Sequence, residues 1–307
     1  MLFNKVSGAA EKVTIDGQKV DKRLDLEKDF AIKYLPHSTN FDRITASVFH
    51  PKKNTYFIFQ EANHPSKLKD KRYCRELLSQ WESFSKPPEN IIGAFIRNDE
   101  IILVGGYTNI YKLDDSSNTY TRIGGGGLSY LYGCWYIKEK DELYGSYINQ
   151  FYKFDFIRNT WTKVNDNTVT FSSHASTVKE NDIYWFGITV EGKNILKFDG
   201  KNFTEIKNVL PYKVGGYSLK VGVLNNKIHL LGSMYFNENK TNSNCHFVEG
   251  ENIFDWIRYP DIPSTVLSKE GQNCESHDGA ITLFGLSGIY NSGDCLEIVE
   301  VYKEREV

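Results

Sequence analysis

The stretch "IILVGGYTNIYKLDDSSNTYTRI", residues 101–123, decides the fold. Four apolar residues run into Gly105 and Gly106, and after a short gap an alternating, aromatic-bearing stretch follows. Alternation at period two marks half-buried strands. An apolar run that stops on glycine marks a strand whose end must approach other backbone closely.

The pattern recurs along the chain. Short apolar runs end on glycine at LYG (Gly145), WFG (Gly187), LLG (Gly232) and LFG (Gly285), spaced by 40, 42, 45 and 53 residues from Gly105 onward. Upstream by 45 residues, NTYFIFQ places Gln60 at the glycine position, which makes six copies. This period lies within or near the roughly 40–50 residues of propeller repeats. Before each glycine the chain reads strand, polar turn, strand, as in GAFIRNDEIILVGG and KVGVLNNKIHLLG. That is the hairpin signature.

After each glycine come a variable loop, a third strand and an aromatic-bearing fourth. Leu113 to Tyr120, Phe154 to Trp161 and Cys74 to Trp81 share a seven-residue interval, and Phe198 to Phe203 is a shortened version. Four-stranded sheets cannot bury both faces alone, so they must stack face to face around an axis. On this reading the glycines relieve crowding at the hub, and the aromatic of each fourth strand fills the widening gap between sheets. Trp161→Ala then costs about 3–5 kcal/mol if the ring is fully buried.

The Gly-Gly end, the following Tyr or Phe with Asp, and the aromatic seven residues on resemble the kelch repeat. This is the blade of kelch and galactose-oxidase-type β-propellers. The copies at 100–123 (Gly105, Gly106, LDDSSNTY) and 141–164 (YGS, FDFIRNTW) carry the resemblance best, and the others keep one glycine. The WD40 signatures do not recur, and Asp255-Trp256 stands in reversed order. The resemblance implies an all-β, six-bladed kelch-like propeller of four-stranded antiparallel blades. It is silent on function, because such propellers host many unrelated roles.

The last copy, from Asn273 to Val307, lacks a fourth strand. DFAIKYLP (29–36) resembles the outer strand of other copies, so Phe30 to Tyr34 is expected to close the last blade. Residues 29–307 then form one propeller. Residues 1–28 form an arm, with an additional strand or hairpin from Val13 to Leu24 and residues 1–12 frayed or draped on the surface. A long insertion is expected in the first copy, QEANHPSKLKDKRYCREL, carrying Lys67, Lys69, Lys71, Arg72 and Arg75. It reads as a basic finger for an acidic partner or, more simply, as a charged edge that resists strand pairing.

Composition excludes some classes. A net charge of −2 from 37 basic and 39 acidic residues offers no global field for nucleic acid or an anionic membrane. The N-terminus lacks the apolar core of a signal peptide. No apolar run reaches the roughly 18 residues of a membrane span. Five scattered cysteines suit reduced thiols, and the chain reads as a cytoplasmic monomer.

No hydrolase elbow, phosphate loop, zinc-protease helix or calcium loop is present. The run Gly124 to Gly127 precedes a strand rather than a helix, so it reads as a linker, not a phosphate cradle. Cys245-His246 and Cys274-x-x-His277 are the only metal-like pairs. Consecutive strand residues point to opposite faces, so no metal site and no cofactor is expected.

The expected site is the channel mouth, where first-strand entries and post-glycine loops gather on one face. The entries supply Arg43, Tyr130, Tyr132, His174 and Tyr217, and the loops add Tyr107, Tyr147 and Tyr235. One cation, one titratable ring and several aromatics suit a peptide, a sugar or a carboxylate. The alternative is that they satisfy hydrogen bonds at strand ends. The expected function is a non-enzymatic propeller binding a protein or peptide. The alternative is a small-molecule protein or sugar-modifying enzyme using Arg43, His174 and a neighbouring carboxylate.

Overall fold

The structure is a computed structural model. It describes residues 4–5, 26–35, 44–60, 66–69, 81–147, 150–166, 175–187, 192–237, 240–251, 254–259, 261, 273–277, 279–287 and 292–304. The described strands form six antiparallel sheets, five of four strands and one of five. Sheets one to five each use four consecutive strands. They open at Ile44–His50, Ile91–Arg97, Gly133–Ile137, Ala175–Lys179 and Lys213–Leu224 and end at Trp81–Ser83, Thr119–Gly125, Thr160–Asp166, Phe203–Ile206 and Trp256–Tyr259. Sheet six combines Asn273–His277, Ala280–Ser287 and Ser292–Glu304 with strands from the N-terminus.

The sheets close into a propeller ring. First strands of successive sheets neighbour one another in order, and that of sheet six neighbours that of sheet one. The second strands are buried on both faces, as in Thr55–Gln60 and Glu100–Gly105, because each is sandwiched within its own sheet and between two others. Apolar clusters then fill each gap. Phe57 and Phe59 of sheet one, with Phe84 of the linker that leaves it, pack on Ile91, Leu103 and Tyr111 of sheet two. Trp135, Tyr144 and Phe151 of sheet three pack on Trp185, Leu196 and Phe198 of sheet four. Across the closing gap, Tyr56 Oη of sheet one lies 2.5 Å from His277 Nε2 and 2.7 Å from Thr282 Oγ1 of sheet six.

The turns between first and second strands make a second, polar circuit. Asn98 and Asp99, and likewise Asn225 and Asn226, adopt positive φ, as two-residue hairpin turns require. Lys52 pairs with Asp99, and Arg97 grips Asp141 through two bonds of 2.7 Å. Lys140 Nζ donates to the Asn181 carbonyl, Asn226 Nδ2 to Glu180 and Val223 N to Ser276 Oγ. Each of these contacts ties one sheet to the next.

The hairpins between third and fourth strands account for the seven-residue interval. Asp114 Oδ1 accepts from the Ser116 and Ser117 amides, and Asp155 Oδ1 from those of Ile157 and Arg158. Asn118 and Asn159 then take positive φ. Asp plus a left-handed Asn is a turn built from side-chain acceptors. In sheet four Asp199 accepts from Lys201 and Asn202, and Gly200 shortens the turn.

Several expectations are corrected. The N-terminal strand runs Leu26–Leu35, longer than Phe30 to Tyr34, and pairs with Ser292–Glu304 from Leu26 opposite Glu304 to Leu35 opposite Cys295. Asn4–Lys5, in the segment expected to fray, pairs with Ala31 and Ile32, so the closing sheet has five strands. Val13 to Leu24 lies outside the described residues. The supposed insertion in sheet one begins with a strand: Ser66–Lys69 pairs with Thr55–Ile58 and with Trp81–Ser83. Lys71, Arg72 and Arg75 lie outside the described residues.

The fourth-strand aromatics are half-buried rather than sealed, because each has a polar task. Trp161 Nε1 donates to the Thr108 carbonyl at 2.8 Å, Tyr120 Oη to Ser85 at 2.6 Å and Trp256 Nε1 to Val209 at 2.7 Å. Each reaches back to the preceding sheet or the linker leaving it. The glycine run is more than a flexible spacer: Gly125, Gly126 and Gly127 all have φ near +80°, and a Cβ on Gly125 would lie 2.1 Å from the Thr108 carbonyl. Side chains are excluded there by both conformation and space.

Candidate functional site

An aromatic constellation stands at the boundary of sheets two and three. The segment 130–132 enters sheet three and is stitched to both sides: Leu131 N donates to Gly106 O, and Tyr132 N to Ser146 O, each at 2.9 Å. Leu131 is fully buried against the space above Gly145, which leaves its two neighbours to turn outward. Tyr130 leans towards sheet two and Tyr132 towards sheet three.

Four tyrosines form a continuous row. Tyr107 meets Tyr130 edge-on at 5.9 Å, Tyr130 meets Tyr132 at 5.8 Å, and Tyr132 stacks on Tyr147 at 6.0 Å with planes 2° apart. Tyr107 and Tyr132 are 64% and 52% exposed, unusual for rings of this size. The row is therefore a surface, not a core.

The glycine pair is explained here. A Cβ on Gly106 would fall 2.7 Å from the Tyr130 ring, and one on Gly105 would fall 2.2 Å from the Glu89 carboxyl carbon. The pair is empty because two side chains lie on it, a more local cause than crowding at the hub. Glu89 spends its oxygens on the Tyr107 amide at 2.6 Å, Asn109 Nδ2 at 2.7 Å and Tyr111 Oη at 2.9 Å. It clamps the post-glycine loop and so fixes Tyr107. Burial, reinforced by the Glu89 bond, pushes the Tyr111 phenol up to about 12. With three donors on it, Glu89 is a positioning group rather than a free base.

Of the expected residues, the structure brings Tyr130 and Tyr132 together and adds Tyr107 and Tyr147. Arg43 and His174 lie outside the described residues. Tyr217 and Tyr235 are placed only by backbone, in Lys213–Leu224 and Lys227–Asn237. Sequence reasoning missed Glu89; its one signal was an acid in the Pro-Pro-Glu-Asn entry immediately before a first strand.

The metal-like pairs are separated by the sheet geometry. Cys245 packs into the gap between sheets four and five, whereas His246 points the other way, 3.0 Å from His229 Nδ1. His277 engages Tyr56 and Thr282. Among the described residues, no group of three or more His, Cys, Asp or Glu is placed to hold a metal. No described helix is long and apolar enough to cross a membrane.

No family model and no curated protein matches the chain in sequence. Solved structures do match in shape. YjhT superposes with a TM-score of 0.65 at 8% identity, covering 88% of this chain and 99% of that one. A structural genomics protein of unknown function from Bacteroides thetaiotaomicron VPI-5482 superposes with a TM-score of 0.61 at 10% identity, covering 90% and 77%. At such identities the likeness speaks to the β-propeller fold alone.

Proposed function

We propose that the chain is a non-enzymatic, kelch-like interaction propeller that presents its tyrosine face to a peptide segment of a protein partner. The carrying observation is the row Tyr107, Tyr130, Tyr132 and Tyr147, with Tyr107 and Tyr132 exposed, held by backbone bonds from two sheets and by Glu89. Its steps of 5.8–6.0 Å come close to two residues of extended or polyproline chain, about 6–7 Å. Alternate side chains of such a peptide would meet successive rings. Tyrosine suits this role, because a ring offers large area and a hydrogen-bonding tip at low entropic cost. The reading carries a monomeric, cytoplasmic protein without cofactor, whose partner supplies any effector activity.

The test is a peptide array probed with the wild type and with Tyr107→Ala, Tyr132→Ala and the double variant. The expected result is at least a roughly tenfold loss of binding in the double variant, as for aromatic anchors. Melting temperatures should stay unchanged, because both rings are exposed. Peptide binding that survives in the double variant overturns the reading.

A second reading is supported by the parallel Tyr132–Tyr147 pair. Flat stacked rings also suit the apolar face of a sugar, and a small-molecule site at the mouth would then replace the peptide. A melting shift with monosaccharides, absent in Tyr132→Ala, favours this second reading.

A further inference from the structure

The run Gly124–Gly127, beyond linking sheets two and three, forms a seat for one side chain. Arg122 Nη2 donates to the Gly125 carbonyl at 3.1 Å, and Nε to the Gly124 carbonyl at 3.4 Å. A Cβ on Gly126 would lie 2.8 Å from Nη2, and Gly125, Gly126 and Gly127 hold φ between 78° and 86°. The glycines thus leave room beside the guanidinium and turn carbonyls towards it. Gly126 N in turn donates to the Thr108 carbonyl at 3.0 Å, which ties this seat to the loop that carries Tyr107.

Arg122 stands at the Tyr107 end of the tyrosine row. It lies opposite Tyr111 in the strand pairing, and Tyr111 packs in the cluster between sheets one and two. Gly105 and Gly106 face opposite ways, the first towards Glu89 and the second towards Tyr130. The row therefore leaves the Tyr107 loop in the direction of sheet three, and Arg122 stands on the other side of that loop. Its side chain is exposed, and its hydrogen bonds go to neutral carbonyls. The other described arginines face acids: Arg97 pairs with Asp141, Arg158 with Asp155 and Arg258 with Asp261. Glu89 is committed to the Tyr107 amide, Asn109 and Tyr111. A guanidinium held by two carbonyls is oriented in advance, and the rest of its planar fork suits a carboxylate.

We propose that Arg122 reads an acidic side chain of the peptide that lies on the tyrosine row, and so selects an acid at the Tyr107 end of the bound segment. The proposal rests on the peptide reading and names the charge its partner carries. An Asp or Glu carboxylate accepts from the fork, just beyond the peptide residue that meets Tyr107. The pair is exposed, so the expected preference for the acid over its amide is about two- to fivefold, and it is sensitive to salt.

The experiment probes arrays of end-blocked octapeptides in which one position at a time is fixed as Asp, Asn, Glu or Gln and the others are a mixture of Pro, Leu, Tyr and Ser. The probes are the full chain and its Arg122→Gln and Arg122→Lys variants, in about 50 and about 500 mM sodium chloride. The wild type should favour Asp or Glu over the amide at one position, less so in high salt. Arg122→Gln should bind acid and amide peptides alike, and Arg122→Lys should keep part of the preference. A wild type without acid preference, or a preference kept in Arg122→Gln, overturns the proposal and leaves the peptide reading standing. Should Arg122→Gln fail to fold, a wild-type acid preference that high salt does not reduce overturns it. Absence of peptide binding, or binding that survives Tyr107→Ala with Tyr132→Ala, overturns both. Tighter binding of single-stranded oligothymidine than of any peptide, lost in Arg122→Gln, assigns the guanidinium to phosphate and also overturns the proposal.

Discussion

At the scale of single residues, the molecule sets polar rings against each other inside its sheets. His229 and His246 lie buried side by side in sheet five, 3.0 Å apart. Burial holds both in the neutral form, pulling His229 down to about 2 and His246 to about 4. In the unfolded chain each titrates near 6.5. Between pH 6.5 and 4 the unfolded chain therefore binds more protons than the folded one, and stability falls as pH falls through that window. The expected loss from pH 7 to pH 5 is on the order of 2 kcal/mol for each of the two rings, read by denaturant titration. A His229→Phe, His246→Leu double variant should show a flatter profile over the same range. Glu89 acts at the same scale. Glu89→Ala should cost about 1–3 kcal/mol by stranding Tyr111 Oη and the Tyr107 amide, and should weaken peptide binding through Tyr107. Glu89→Gln, which keeps an acceptor, should recover part of both.

At the scale of the element, the unit is a four-stranded sheet with a side-chain-built hairpin and an aromatic that reaches back. The Asp155 turn holds two amides that no strand partner would satisfy. Asp155→Ala should lower the midpoint of chemical denaturation, and Asp155→Asn should lower it less. Trp161 is half-buried, packs on Phe154 and bonds Thr108. Trp161→Phe should therefore lose mainly that bond, about 1 kcal/mol, well short of the loss for a sealed core ring. The interval from Leu113 to Tyr120 and its copies was legible because local turn chemistry sets it. The role of Gly106 was not, because its cause is Tyr130, from the following repeat.

At the scale of the whole molecule, stability depends on joining the two ends of the chain. Sheet six is completed by Leu26–Leu35, which pairs along its full length with Ser292–Glu304, and Tyr56 bonds His277 and Thr282 across the closing gap. Deleting residues 1–35 should leave an unpaired edge, lower the melting temperature and promote association, measurable by light scattering. Tyr56→Phe removes only the hydroxyl, and should cost about 1–2 kcal/mol without altering the oligomeric state.

The order of strands, the repeat, the polar turns and the need for an N-terminal closing strand were determined by the sequence alone. Each follows from periodicity two, from turn residues with special backbone freedom, or from a missing strand in the last copy. The meeting of Tyr107, Tyr130, Tyr132 and Tyr147 and the clamping of the Tyr107 loop by Glu89 were decided only in three dimensions. These depend on how neighbouring sheets face each other, and the contacts across a gap join residues from different repeats that no local pattern connects.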